Sequence, residues 1–427
     1  MRRTIAVLAV AALLGHAALA QQFNWKKHQG ETITFLSSNH PWANAVLRHK
    51  GEFEALTGIT LKFDTYQEQQ MRQRLVTVMN AKSPEIDVFM SLPSREGEQF
   101  AKAGWYADLT PFVKNAAAKD YDFADFNSPL LAPLMHGGKL TGIPLNIEAP
   151  VIFYRKDVFS KCGVTLPARL TDLPAMAAKL KACNPGMAPW TTRGLKAALP
   201  YTYAGFLHNL GGDYLDKNRK PALCSKEAQE ATALYARLLK DYGPLGAINN
   251  NFYQNVSLYH EGKAAMAFDA SNELHRMVEG GAWLQQTGVA LLPPGMRNQP
   301  VLIGWGLSVS AHSRRPEAAW YFVQWVTSPA MQAKLALEDI APPRAKLAND
   351  SAFKKWIDAE AVRREWMSAI QQAAKIGSGE VGVPIIANVA SRDIIGGMVN
   401  DVMLGQKTVG QACTDANKAL AELMARE

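Results

Sequence analysis

The stretch from Leu140 to Asp157, LTGIPLNIEAPVIFYRKD, restricts the fold more than any other in this chain. Ile147, Val151, Ile152, Phe153 and Tyr154 give it strong β propensity. Pro144 and Pro150, however, lack the N–H that an inner strand must donate, so one sheet is a poor home for the whole stretch. Glu148 stands among apolar neighbours, where an ionised carboxylate is costly unless something pairs with it. Two readings fit. The stretch either connects two lobes with Glu148 facing the gap, or forms an edge strand with a solvated glutamate.

Strands and helices alternate ahead of it. Ile33–Leu36, Ile59–Tyr66 and Ile86–Ser91 read as strands, with amphipathic helices over 42–56 and 67–80 and a helix stop at Thr57-Gly58. That alternation predicts an α/β fold with a mostly parallel sheet and covered faces. Ligands on such sheets bind beyond the carboxyl ends of the strands. The turns Ser37–Trp42, Tyr66–Gln67 and Ser91–Arg95 therefore share one rim. Beyond Asp157 the chain is helix-rich, with helices expected over 172–183, 201–210, 225–241 and 317–327. Short strands are expected at Ala264–Phe268, Val289–Pro294 and Leu302–Ser310, and helices resume after Pro342-Pro343.

Met1 to Ala20 reads as a secretory signal: Arg2-Arg3, an apolar run over Ile5–Leu14, and a small-residue cleavage site at Ala18-Leu-Ala20. An exported, periplasmic chain beginning near Gln21 is expected. Its length of about 400 residues suggests two or three domains at roughly 100–200 residues each. The formal charge is +8, two units of it in the leader, and the basic residues are scattered in pairs rather than gathered in a stripe, which argues against nucleic-acid binding. Four cysteines, Cys162, Cys183, Cys224 and Cys413, enter an oxidising compartment without metal-like spacing. Three pairings are open. Cys162 with Cys183 is favoured by proximity in sequence, leaving Cys224 for Cys413.

The catalytic templates are missing: GxGxxG after a strand, a P-loop, HExxH, GxSxG and an EF-hand loop. Glu148 with Asp269 is the one carboxylate pair a glycosidase reading could use. Polar and aromatic residues instead collect at element ends: Asn39, His40, Trp42, Tyr66, Glu148, Tyr201, Asp269 and Trp305. An aromatic face against a sugar's C–H patch, with carboxylates and amides taking hydroxyls, is the chemistry of carbohydrate binding. Packing at a helix start is the competing account of Trp42, and a surface position that of His40. Trp305 lies between two glycines, which favours a ligand role.

Several short motifs together resemble a known family. They are Glu52-Phe-Glu-Ala-Leu-Thr-Gly-Ile59, Ile86-Asp-Val-Phe89, Gly104-Trp-Tyr-Ala-Asp-Leu109, Gly142-Ile-Pro144 with Tyr154-Arg-Lys-Asp157, and Glu261-Gly-Lys-Ala-Ala-Met266. Gly304-Trp-Gly306, Ser328-Pro329 and Pro342-Pro-Arg344 complete the set, which spans nearly the whole chain after the leader. In order and spacing the chain resembles the extracellular solute-binding proteins of ABC importers, of the sugar-binding type that includes maltose-binding protein.

The resemblance implies a two-lobe periplasmic-binding-protein fold, type II-like, closing on its ligand about a hinge at Leu140–Tyr154. Lobe 1 is then 31–143 with 301–343, and lobe 2 is 144–300 with 344–427. It also implies a non-enzymatic receptor, monomeric and without cofactor or metal, that delivers a carbohydrate or polyol to a membrane permease. Asn39 and His40 match the first-strand loop that contacts sugar, Glu148 a pocket acid, and Tyr201 a stacking aromatic. The full candidate set adds Trp42, Tyr66, Gln67, Asp269, Asn272, Trp305 and Arg344. Met90 and Asn272 stand where the maltose-type protein has tryptophans, which suggests a ligand smaller than a maltodextrin. Glycerol-phosphate binding is an alternative that needs pocket cations such as Arg95, Arg193 or Arg344. A secreted glycosidase using Glu148 and Asp269 is the reading from another class.

Overall fold

The computed structural model describes residues 23–281 and 283–427, so the expected signal at Met1–Ala20 lies outside the described residues. Strand β1 (Thr32–Ser38) leads into helix α1 (Pro41–Thr57), strand β2 (Thr60–Tyr66), helix α2 (Glu68–Asn80) and strand β3 (Val88–Ser91). Gly58 closes α1 in the left-handed region at φ +70° and donates its N–H to the Glu54 carbonyl. A side chain there would be strained. β1 is flanked by β2 and β3, both parallel to it, as the alternating pattern requires.

The five-stranded first sheet is completed by Gly306–Val309, antiparallel to β3, and by Ile143–Pro144 beyond it. The second sheet has three antiparallel strands, with Pro150–Arg155 in the centre between Met266–Ala270 and Thr287–Ala290. The stretch from Leu140 to Asp157 is thus shared between two sheets. Pro144 ends its segment at a sheet edge and Pro150 opens a strand, two places where a missing N–H is tolerated. In the central strand every residue is buried except the half-buried Tyr154, without the alternation of a half-exposed strand, because helices cover the sheet.

Three segments pass between the sheets and are tied together. Glu148 and Ile303 exchange both backbone hydrogen bonds at 2.8 Å. Leu145 N–H donates to the Trp305 carbonyl (3.0 Å) and Ile147 N–H to that of Ala341 (3.1 Å). After these crossings Ala361–Ile376 packs on the Thr287–Ala290 strand, and Asn388–Met403 packs on Lys226–Tyr242 and on Val409–Met424. Arg344 and Lys346 bind residues 121–125. Cys162 is joined to Cys183 and Cys224 to Cys413, both within the part built around the second sheet.

Candidate functional site

The carboxyl ends of β1 and β3, the crossing segments and the second sheet meet around one buried cavity. His40 follows β1, and its Nδ1 caps α1 by accepting the Trp42 N–H at 3.1 Å. Glu68 begins α2, and Leu92 and Arg95 follow β3. Glu148, Ile303 and Trp305 come from the crossings. Arg193, Tyr201, Phe252, Ala270, Asn272 and Glu273 come from the second part, joined by Arg392 on Asn388–Met403. The cavity holds about 30 Å³. That is room for a few water molecules, given roughly 10–15 Å³ for one. Ile303 also borders a second hollow of about 350 Å³, which Ser94, Gly304 and Asn388 help to line.

Glu148 is 4 % exposed. Asn272 Nδ2 donates to its Oε2 at 2.8 Å and stands 2.8 Å from His40 Nε2, while that nitrogen is 3.8 Å from the carboxylate. Burial opposes ionisation of Glu148, but His40, with the Asn272 amide, outweighs it and holds its pKa below the ordinary carboxylate value. The Tyr201 hydroxyl and the Asn272 carbonyl oxygen are buried with no hydrogen-bond partner. Burial, and then the charge of Glu148, push the Tyr201 pKa up, so that side chain is a neutral donor. Trp305 is 4 % exposed, with the His40 ring 5.5 Å away and the Arg72 guanidinium 5.2 Å from its own ring.

Charged groups crowd the wall. Asp269 holds Arg193 beneath the Tyr201 ring, 4.4 Å from guanidinium to centroid. Glu68 accepts from Arg72 at 3.1 Å and lies 3.6 Å from Arg95. Burial would raise the Glu68 pKa, yet Arg72 and Arg95 bring it down to about 2. Glu273 accepts from Arg276 at 3.1 Å, and burial still raises its pKa.

Among the candidates read from sequence, His40, Glu148, Tyr201, Asn272 and Trp305 line this cavity. Asp269 stands behind it and acts through Arg193. Trp42 is fully buried, edge-on to Phe35 in the core, as the packing account had it. Asn39 is drawn to the rim by Asn44 and Arg276, beside a separate groove of about 460 Å³. Tyr66 is half-buried and Gln67 exposed, and the next residue, Glu68, turns inward instead. Arg344 is removed from the site. It donates to the carbonyls of Thr327, Tyr121 and Asp122 (2.8–2.9 Å) and lies over Phe126, a structural tie outside the cavity lining. Of the three cations considered for phosphate, Arg95 and Arg193 do line the cavity.

The reason given for Trp305 also changes. A Cβ on Gly306 would come 2.6 Å from Leu134, and one on Gly304 would come 2.8 Å from the Asn146 carbonyl oxygen. The glycines admit neighbours rather than bare the ring. Glu68, Glu273 and Arg392 were missed because a charged residue on a helix ordinarily faces water. A signal for Arg392 existed in the pair Gly396-Gly397 inside its helix, since such glycines mark close approach. A Cβ on Gly396 would lie 2.1 Å from the Lys196 carbonyl oxygen.

The comparisons agree with this architecture. Residues 40–333 match the family model described as bacterial extracellular solute-binding protein. A mannitol-binding protein of Pseudomonas aeruginosa is 26% identical, over 100% of this chain and 99% of its own length. An ABC transporter solute-binding protein from Agrobacterium radiobacter, solved with ribitol, superposes with a TM-score of 0.83 at 24% identity, covering 93% of this chain and 99% of its own. Another from Agrobacterium vitis, with bound D-mannitol, gives 0.82 at 25% identity over 93% and 99%. With the family match covering well over half of the sequence and the two-sheet fold shared throughout, this chain belongs to the bacterial extracellular solute-binding proteins.

Proposed function

We propose that this protein is a periplasmic receptor that captures a polyol or a small sugar between two lobes and hands it to the permease of an ABC importer. The observation that carries the reading is the buried Tyr201 hydroxyl and Asn272 carbonyl oxygen, unpartnered beside Glu148 and Trp305. Buried polar atoms are nearly always satisfied, so a pair of orphans in one cavity calls for a hydroxylated partner. Relatives named for mannitol and for erythritol or L-threitol, and neighbours solved with ribitol and mannitol, support the same chemistry. Lobe 1 comprises about 31–144 with 301–349, lobe 2 the remainder, and the hinge lies at the tied crossings. A cavity of this size requires the lobes to part before a pentitol or hexitol enters.

No turnover accompanies capture. Glu148 is engaged by Asn272, and Asp269 by Arg193 and Asn255, so neither carboxylate is set up to protonate a glycosidic oxygen. The test is a thermal-shift and calorimetric screen against polyols and small sugars, followed by recovery of the tightest ligand. A bound ligand raises the melting temperature and returns chemically unchanged. Failure of every polyol and sugar to bind, or release of hydrolysed product, would sink the reading.

A further inference from the structure

The cavity of about 30 Å³ is far below the roughly 300–1,000 Å³ of a small-ligand site. The hollow of about 350 Å³ that Ile303 also borders reaches that range, and it lies directly beside the cavity. Three pairs of neighbouring residues divide between the two spaces. Arg95 lines the cavity and Ser94 the hollow, and Trp305 lines the cavity and Gly304 the hollow. Arg392 lines the cavity, and Asn388, one turn earlier on the same helix face, lines the hollow. The groove beside Asn39 shares no lining residue with the cavity.

The hollow draws its lining from both parts of the molecule. Ser94 follows β3, Leu130 and Pro133 precede the Ile143–Pro144 strand, and the segment from Gly377 to Asn388 links two helices of the second part. Asn388 is 6 % exposed, and its Nδ2 donates to the Val383 carbonyl at 2.7 Å. Its Oδ1 has no partner among the described residues, and neither has the buried Ser94 hydroxyl. Two orphaned polar atoms in one hollow call for hydroxyl groups, the same need that Tyr201 and Asn272 show in the cavity. Glycines keep backbone within reach: a Cβ on Gly379 would meet only the Leu302 carbonyl oxygen, at 3.7 Å. Pro93, Pro133, Leu130 and Leu302 add apolar surface. Glu380 is the single charged group among the described lining residues, and it is exposed. Such a lining suits a neutral sugar unit, with hydroxyl partners and no buried charge.

We propose that this hollow is a second subsite, and that the solute is a neutral two-unit saccharide: an alditol or hexose carrying one glycosyl unit. This rests on the receptor reading and narrows it. The first unit meets Glu148, Asn272 and Tyr201 in the cavity. The glycosyl unit passes Ile303 into the hollow, where Ser94 and Asn388 take its hydroxyls and the prolines and leucines take its C–H faces. A ligand of one unit leaves Ser94 and Asn388 unsatisfied, so the second unit adds affinity.

The test is calorimetry on the wild-type protein with one-unit ligands and their glycosylated forms. Mannitol is compared with 1-O-α-D-glucopyranosyl-mannitol, sorbitol with maltitol, isomaltitol and lactitol, and glucose with maltose and cellobiose. At least one two-unit ligand should bind tighter than its parent by about tenfold or more, through hydrogen bonds and apolar contacts that the parent lacks. Ser94→Ala and Gly379→Leu, each checked for folding by circular dichroism, should cut that ratio to about threefold or less and leave the parent's affinity within about twofold. A one-unit ligand that binds as tightly as every two-unit ligand overturns this inference and leaves the receptor reading standing. So does a ratio that survives in both folded variants, or variants that weaken parent and glycosylated form alike. Silence from all of these ligands and from the wider polyol and sugar panel overturns the receptor reading itself.

Discussion

Asp269 holds Arg193 with a single carboxylate oxygen, which accepts from Nε at 2.9 Å and from Nη2 at 2.6 Å. Its other oxygen accepts from Asn255 at 2.8 Å, so the carboxylate is committed to aiming one guanidinium at the Tyr201 ring.

Asp269→Asn should therefore destabilise the protein strongly. It leaves Arg193 buried with an amide in place of its charge partner, and breaking a buried pair in this way costs about 3–5 kcal/mol. The denaturation midpoint in urea reads the effect. A midpoint within error of the parent would show that the pair does not hold this wall in place.

Glu68 makes stability depend on pH in a definite direction. Its folded pKa of about 2 lies below the ordinary value of 4.5, so its contribution is present above pH 4.5 and is lost as pH falls toward 2. Glu68→Gln should be less stable than the parent at pH 7. The difference should shrink steadily below pH 4.5 and vanish near pH 2. Melting temperatures of both proteins across that range settle it, and a gap independent of pH would rule the linkage out.

Glu148→Gln keeps the shape of the cavity and removes the charge that accepts hydroxyl hydrogens. A bond to a charged acceptor contributes roughly 1.5–3 kcal/mol, so ligand affinity should fall about tenfold or more. Trp305→Ala should lower affinity at least as much. Because that ring is buried, it should also cost about 3–5 kcal/mol of stability. Calorimetry on variants with a native dichroism spectrum distinguishes the two effects, and parental affinity in both would move the binding site elsewhere.

The disulfides should differ in weight. Cys162–Cys183 closes a separation of 21 residues and Cys224–Cys413 one of 189. The chain-entropy account gives about 3 and about 5 kcal/mol respectively. Paired Cys→Ser variants, compared by chemical denaturation, should follow that order, and a larger loss at the shorter loop would contradict it.

Domain closure should be visible in solution. Saturating ligand should reduce the radius of gyration measured by small-angle X-ray scattering, since hinge motion is the usual route in two-lobed binders. An unchanged radius at saturation would count against a hinge at the crossings.

The parts of the fold that could be read from sequence are those set by local period. β1, α1, β2, α2 and β3 were legible because strand and helix periodicities alternate cleanly and Gly58 marks a stop. Glu148 was legible because one acid among apolar residues and prolines is conspicuous. Arg95 and Arg392 were not readable as a pair, since 297 positions separate them and only tertiary packing brings both to one cavity. Trp42 and Arg344 misled for a related reason. Their residue types suit a binding site, but burial beside Phe35 and capture by three backbone carbonyls depend on the assembled fold.

The double hydrogen bond between Glu148 and Ile303 bears on timing. On the two-lobe reading proposed above, two crossing strands locked in register bend as one ribbon, which puts their rung near the axis of rotation between the lobes. A side chain on an axis scarcely travels, whereas one far out on the lever arm sweeps through the full swing. On that reading Glu148 offers a solute nearly the same grip whether the jaws are wide or shut. Arg95 follows β3 and Tyr201 belongs to the second part, so on the same reading the two can meet the solute together only at the end of the stroke. First contact and final retention then belong to different residues, and a substitution at the pivot should slow loading while one at the tips hastens escape.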